Sequence, residues 1–417
     1  MSQGEPLSRP HSKCRVCGAA QLHRYLDLGV TPLANSYLTA EQLDRPEAVA
    51  ELALQLCTRC GLSQLTRVVD RDRMFRDYLY VSSTSDTFRT HCAELAATAM
   101  RFVDAKADEW ALDIASNDGL LLSRFEALGM RVFGVDPALN LAAEAAARGI
   151  PTIPEYWTSD LARDAVKRFG RPRTITATNV LAHVDDVHEF VTGVKLALMP
   201  RGVFVVEVPY VLDFVQKNEF DTAYHEHLSY YGVHPVQQLL GAHDLDLVRV
   251  ELFPDIHGGT IRFFACHRGE REPDVTVAEA LDRERDFGVL SLPVYREFGD
   301  RVRENMAKLA DLVRGLHAEG GRVWAYGASA KGNTLMNFAH LTNDAVPVVV
   351  DDNPKKWSLF TPGAHMRVTG PAELGTAKPE YLLLLAWNFE TEIVRRSRAA
   401  GHNGKFIRPV PEARVFG

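Results

Sequence analysis

The residues best suited to moving protons are Tyr224-His225-Glu226-His227, within the stretch DTAYHEHLSYY. Imidazole alone among side chains has an unperturbed pKa near neutrality, so two histidines within reach of a carboxylate suggest proton transfer. A polar loop whose histidines only cap or bond locally would carry the same residues. A second group suits a metal. Four of the six cysteines fall into two pairs, Cys14-x2-Cys17 and Cys57-x2-Cys60, separated by 39 residues (18–56). Each Cys-x2-Cys turn brings two thiolates to one face, and two such knuckles complete a tetrahedron. Gly18 and Gly61 follow the second cysteine of each pair, where such a turn needs a positive φ. Four thiolates leave no open position, so the expected zinc on Cys14, Cys17, Cys57 and Cys60 is structural. A redox role would need only one pair, and no thioredoxin-like unit surrounds either. Cys92 and Cys266 stand alone and read as small apolar core residues.

These groups need elements to hold them, and the chain is long enough to supply several domains. At 417 residues it exceeds one ordinary core. An apolar fraction of 46% and a charged fraction of 24% are those of a globular protein. A net charge of −7 with no basic tract argues against nucleic-acid partners. No apolar run approaches a bilayer span, so no membrane role is expected. The N-terminus lacks the apolar core of a secretory signal, so a disulfide framework is not expected and a cytoplasmic location is. The chain is expected to act as a monomer, with a dimer as the alternative.

Beyond the cysteines, Tyr78, Tyr80, Ser82, Ser83, Thr84 and Ser85 crowd hydroxyls ahead of a helix expected over 87–102. Such a stretch could line a ligand pocket or simply cap that helix. Short apolar runs then alternate with helical ones. Ala111 to Ala115 reads as a strand, Ser116 to Gly119 as a turn, and 120–128 as a helix; Arg131 to Val135 reads as a second strand stopping at Asp136. That is the start of a doubly wound sheet, in which an acid ending the second strand accepts from a ribose and the first turn admits a ligand to the backbone. The turn is not the Gly-x-Gly-x-x-Gly that seats a pyrophosphate. Asp113 and Asp118, flanking a turn with one glycine, suit a cationic ligand free of phosphate, as S-adenosylmethionine is. LDIASNDGLLL followed by VFGVDPA resembles motifs one and two of class I methyltransferases, with Ala115 where that family commonly has glycine.

Thr174 to Val180 reads as a fourth strand, ahead of His183, and Phe204 to Glu207 as a fifth. Both strand ends and the Tyr224–His227 loop would meet at the carboxyl edge of one sheet. A charged helical stretch (Glu270 to Asp286) and a long amphipathic helix (Glu297 to Leu316) follow. A second nucleotide-type pattern comes next: strand 322–326, the turn Gly327 to Gly332, helix 333–338, then strands 346–350 and 382–386. Small residues with Lys331 at a helix start suit an anion. The spacing is wrong for a Walker loop, and the glycine fingerprint of an NAD site is incomplete.

The order of parts resembles the sugar C-methyltransferases of deoxysugar biosynthesis, over roughly residues 14 to 410. The resemblance implies an α/β chain of three domains: a zinc-binding domain (1–75), a class I S-adenosylmethionine-dependent Rossmann-like domain (76–255) and a second Rossmann-like α/β domain (256–417) contributing to a sugar-nucleotide site. It implies methylation at carbon 3 or carbon 5 of a 4-keto deoxysugar, usually dTDP-linked, through an enolate. His183, Tyr224, Glu226 and His227 would be catalytic, with His227 the base, Glu226 holding its tautomer or supporting its charge, and His183 or Tyr224 steadying the enolate. Donor contacts are expected at Ala115, Asn117, Asp118, Gly119, Asp136 and Asn179. Substrate contacts are expected at Tyr78, Tyr80, Ser82, Ser83, Lys331 and Asn333. The alternatives are an O- or N-methyltransferase for a related small molecule, or a non-catalytic ligand-binding relative.

Overall fold

A computed structural model describes residues 7–76, 82–84, 86–256 and 258–417, without the side chains of 84, 86 and 87. The expected substrate residues Tyr78 and Tyr80 lie outside the described residues. No helix among those described is long and apolar enough to cross a membrane.

Two parallel sheets dominate the described residues. The central one has seven strands in the spatial order Leu245–Phe253, Thr260–His267, Val203–Pro209, Thr174–Thr178, Trp110–Ile114, Arg131–Val135 and Thr152–Ile153. The strand Val203–Pro209 reads VFVVEVP and is buried through Val208, parallel to Thr174–Thr178 on one side and antiparallel to Thr260–His267 on the other. The C-terminal sheet has six strands in the order Arg367–Thr369, Val348–Val350, Val323–Tyr326, Tyr381–Leu384, Lys405–Arg408 and Arg414–Phe416. In each sheet the chain order reverses beside the first strand, at Trp110–Ile114 and at Val323–Tyr326, and such a switch point opens a crevice at the carboxyl ends.

A smaller antiparallel sheet contains the N-terminal strands Leu22–Pro32, Val49–Cys57 and Ser63–Leu65. Its fourth strand is Ser229–Tyr230, which comes from the middle of the chain and pairs Ser229 with Gln64 and Tyr230 with Ser63. The segment just after His227 is therefore built into the zinc-bearing sheet. The helix Leu292–Ala318 ties this sheet to the rest, burying Tyr295, Phe298, Val302 and Met306 at helical spacing. Tyr25 packs edge-on to Tyr295 with ring centroids 5.0 Å apart. This helix begins before the expected Glu297, with Pro293 in its first turn, where a missing N–H costs nothing.

The antiparallel pair Leu245–Phe253 and Thr260–His267 spans the expected boundary at 255/256. One reading changes: the charged stretch 270–286 is not simply solvated. It forms the helix Val275–Phe287, and its Glu284 is fully buried, accepting from Val233 N at 2.6 Å and His234 Nδ1 at 2.7 Å.

Candidate active site

At the N-terminal end, the sulfurs of Cys14, Cys17, Cys57 and Cys60 lie within 4.8 Å of one another. Cys14 and Cys60 are 3.5 Å apart, as are Cys17 and Cys57. Gly18 and Gly61 take φ of 70° and 79°, so each knuckle turns in the left-handed region as its glycine permits. Four converging sulfurs with no carboxylate or imidazole among them fit a closed, structural zinc.

A cavity of about 1430 Å³ separates the carboxyl edges of the two parallel sheets. That exceeds the usual range for one drug-sized ligand and leaves room for two side by side. At the central sheet its wall is acidic. Asp113, on the first strand, is buried, and burial pushes its pKa up to about 7 while the Thr176 hydroxyl, donating at 2.7 Å, opposes that rise. Asp136 ends the second strand, and its carboxylate accepts from Asn117 N and Ala138 N, each at 2.8 Å. Burial raises its pKa too, against those two N–H groups. Ala115 and Asn117 take φ of 60° and 51°, so the alanine adopts the conformation that glycine serves in related turns. The turn lies hard against the neighbouring strand: a Cβ on Gly134 would come within 2.3 Å of Ser116 Oγ. Asn117 Oδ1 accepts from Ser82 N at 3.0 Å, and Asn179, with φ of 54°, completes this wall.

Three expected residues face elsewhere. Asp118, Gly119 and Ser83 line a separate hollow of about 270 Å³. Asp118 is fully buried and pairs with Arg148 at 2.9 Å. The acidic pair lining the cavity is thus Asp113 with Asp136, not Asp113 with Asp118.

Lining the same cavity, His183 and His227 stand edge to face with ring centroids 4.9 Å apart. His227 Nδ1–H donates to the Thr222 carbonyl at 2.8 Å, leaving Nε2 to accept from the Tyr224 hydroxyl at 2.8 Å. Burial first, then His183, holds the His227 pKa well below the ordinary 6.5, with Lys331 lowering it further and the Thr222 carbonyl opposing. Burial lowers His183 to about 4, opposed by backbone groups of Asn179 and Glu226. Both rings are neutral at pH 7. The expectation that Glu226 fixes the His227 tautomer is corrected: the Thr222 carbonyl does so, and both ring nitrogens are taken. Glu226 accepts from Asn35 Nδ2 at 2.6 Å and belongs to the joint with the zinc-bearing region. His225 also turns away, its Nε2–H donating to the Ala50 carbonyl at 3.2 Å.

At the C-terminal sheet the wall carries both signs, Lys331, Lys356 and Arg396 beside Asp351, Asp352 and Glu392. Gly327, with φ of 97°, passes so close to Ala386 that a Cβ would sit 2.6 Å from its methyl. Ser329 then caps the helix Ala330–Phe338 through Gly332 N at 3.1 Å. Lys331 and Lys356 line the cavity, with Asp351 ending the second strand as Asp136 does in the other sheet. Behind Lys331 lie two buried acids that sequence reasoning missed. Burial raises Glu219 to about 7 and raises Asp221, with Lys331 opposing both, and Asp221 accepts from Trp387 Nε1 at 2.7 Å. Asn333 is not at the cavity. Its Nδ2 donates to the Ala34 carbonyl at 2.7 Å and to Tyr37 Oη at 3.2 Å, holding the helix against the N-terminal region.

A cysteine-lined zinc site beside a class I methyltransferase sheet defines a zinc-bearing, S-adenosylmethionine-dependent methyltransferase. Family profiles agree part by part: a putative zinc binding domain matches 14–75, a methyltransferase domain 86–250, and a C-methyltransferase C-terminal domain 255–411. The chain is 35% identical over 414 residues to the C-methyltransferase NovU of Streptomyces niveus, covering 99% of this chain and 98% of that one. This chain belongs to the C-methyltransferase family. The family places the transferred methyl on carbon, which displaces the O- and N-methyltransferase and non-catalytic alternatives. A ubiquinone biosynthesis O-methyltransferase of Bradyrhizobium sp. (strain ORS 278) is 38% identical over only 98 residues, 23% of this chain and 38% of its own. A solved S-adenosylmethionine-dependent methyltransferase from Clostridium acetobutylicum ATCC 824 overlaps 45% of this chain and 94% of its own, at 14% identity and a TM-score of 0.36, too distant to speak to substrate.

Proposed function

We propose that the enzyme methylates a carbon next to the ketone of a nucleotide-linked 4-keto deoxysugar, dTDP-linked, at carbon 3 or carbon 5, through an enolate. The observation that carries this reading is the Tyr224–His227 pair, lining one cavity whose central-sheet wall is acidic and whose C-terminal wall carries lysines beside acids. Carbon becomes a nucleophile only after losing a proton, and a carbon beside a ketone is acidic enough to lose one when its enolate is stabilised. Bound S-adenosylmethionine supplies an electrophilic methyl group on a sulfonium.

The acidic wall suits that donor. Asp136 keeps lone pairs for a ribose beyond the two backbone N–H groups it already accepts from, and Asp113 offers a buried carboxyl to a cationic ligand. On the C-terminal wall, Lys331 at a capped helix N-terminus suits the phosphates of a sugar nucleotide. Between them, the α-proton passes to the Tyr224 oxygen as the phenol's own proton moves to His227 Nε2. The C–H electron pair becomes the enolate, and the Lys331 charge favours that anion. Thr222 keeps Nε2 as the accepting nitrogen throughout. His183 packs against the His227 ring and limits its rotation. After methyl transfer to carbon the ketone is restored, and His227 returns its proton to solvent.

The test is direct. Incubation with a dTDP-4-keto deoxysugar and a donor labelled in its methyl carbon should give a product whose new C–C bond, and the carbon bearing it, are read by NMR. Label recovered only on oxygen or nitrogen, or no transfer to any keto sugar nucleotide, would refute the reading.

A further inference from the structure

Arg15 is the residue to explain. It sits between two zinc ligands, yet it contributes nothing to the metal, and its side chain is wholly buried against another domain. Nη1 donates to the Leu228 carbonyl at 3.3 Å, and Nη2 lies 3.4 Å from Asp185 Oδ1. Leu228 directly follows His227, and Asp185 is two residues past His183. One guanidinium therefore spans the two loops that carry the two neutral histidines. Its own backbone is fixed from the zinc side: Arg15 N donates to Gln64 Oε1 at 3.0 Å, and Gly18 N to the Cys14 carbonyl at 2.9 Å. The next residue repeats the pattern, since the Val16 carbonyl accepts from His188 Nε2 at 2.9 Å.

The two loops also meet directly, Leu228 N donating to the Ala182 carbonyl at 2.7 Å, and Leu65 N donates to the Leu228 carbonyl at 3.0 Å. Arg15 thus completes a frame in which Leu228 is held from both sides. It does so at a cost, because among the described residues Nε has no hydrogen-bond partner and Nη2 has only its ion pair with Asp185. A buried, incompletely bonded cation is weak stabilisation that an apolar side chain often matches or exceeds. Position is what it supplies that an apolar residue would not.

We propose that Arg15 is a positioning residue through which the zinc knuckle holds the His183 and Tyr224–His227 loops in register. The proposal rests on the catalytic reading of these histidines and not on the identity of the sugar. It assigns the zinc-bearing region a part in turnover without any contact between metal and substrate.

Arg15→Met, of similar length and without charge, should keep one zinc per chain by metal analysis and bind S-adenosylmethionine within about twofold of wild type. Its kcat should fall about tenfold to hundredfold with KM little changed, because a small misplacement of reacting groups is enough for that. Histidine-selective 15N NMR supplies a readout that needs no substrate and so stands apart from the keto-sugar reading. In the wild type, His227 (identified by the signals lost in His227→Asn) should show the single Nδ1–H tautomer. In Arg15→Met it should show a mixture, and Arg15→Lys should recover part of both the tautomer and the rate. Wild-type kcat and an unchanged His227 spectrum in zinc-loaded Arg15→Met would overturn the proposal. Should Arg15→Met lose zinc or fail to fold, Arg15→Lys and Asp185→Asn decide. At full zinc occupancy a mixed tautomer in both supports the proposal, and a wild-type spectrum in both overturns it.

Discussion

The two sheets present the same device to one cavity with different charge, acids beside the central turn and lysines together with acids beside the C-terminal one. Each has a first strand, a tight turn, a helix, and a second strand ending in an acid: Asp136 in the central sheet, Asp351 in the C-terminal one. In the central sheet the turn is reached by straining Ala115 and Asn117 into the left-handed region, and the buried groups beside it are Asp113 and Asp136. In the C-terminal sheet Gly327 takes the positive φ without strain, and the groups beside it are Lys331 and Lys356 together with Asp351 and Asp352. Shared topology thus shapes both ends of the cavity alike, while the side chains on the turns set the charge found there. On the proposed reading, a cationic methyl donor would take the acidic wall and an anionic sugar nucleotide the lysines of the other.

That contrast can be broken in order of effect. The residue between the walls should matter to rate and to neither binding event. His227→Asn is expected to lower turnover by about two to four orders of magnitude with both ligands still bound. It should also stop exchange of the sugar's α-proton with deuterated water in the absence of donor. Exchange at the wild-type rate would move the base elsewhere. Because His227 is held well below 6.5, the acid limb of wild-type kcat/KM should lie below pH 6.5.

Asp136→Ala should weaken donor binding about tenfold to hundredfold, a loss of about 1.5–3 kcal/mol for a charge-assisted contact, with sugar-nucleotide binding nearly intact. Lys331→Met should do the reverse, weakening the sugar nucleotide about tenfold and leaving the donor unchanged. Calorimetric titration of each ligand into each variant checks both. If either variant weakens both ligands equally, the two walls do not discriminate by charge.

The smallest effect is on stability in acid. Burial lowers His225 from 6.5 to about 4, so folding favours its neutral form. That contribution is complete above pH 6.5 and is lost as pH falls through about 4. His225→Gln should flatten the decline in melting temperature across that window, by a few degrees on scanning calorimetry. A profile parallel to wild type would show that His225 does not contribute.

Sequence reasoning reached the elements because their signals are local. Paired cysteines specify a knuckle whatever surrounds them, and an apolar run stopping at an acid, as at Val135-Asp136, marks a strand end. The same logic located the cavity edge, since both His183 and the Tyr224–His227 loop follow strands whose direction a doubly wound sheet dictates. What adjacency could not give was side-chain direction in irregular backbone. Glu226 and His227 are neighbours in the chain, yet one turns to Asn35 and the other to Thr222 and Tyr224. Asp118 sits in the donor turn and bonds Arg148 behind it. Ser83 and Asn333 likewise have the composition of ligand contacts but face other surfaces.

Residue types and spacing by themselves determined the zinc ligands, the two nucleotide-type sheets and the histidine-bearing loop, because thiolate chelation and strand–turn–helix periodicity need only a few neighbouring residues. Tertiary structure alone decided that a carbonyl rather than a carboxylate fixes the His227 tautomer, that Asp113 rather than Asp118 faces the donor wall, and that Arg15 reaches two loops. Those outcomes depend on which groups distant in sequence are pressed together, Arg15 and Leu228 being 213 positions apart, and no local pattern encodes such a meeting.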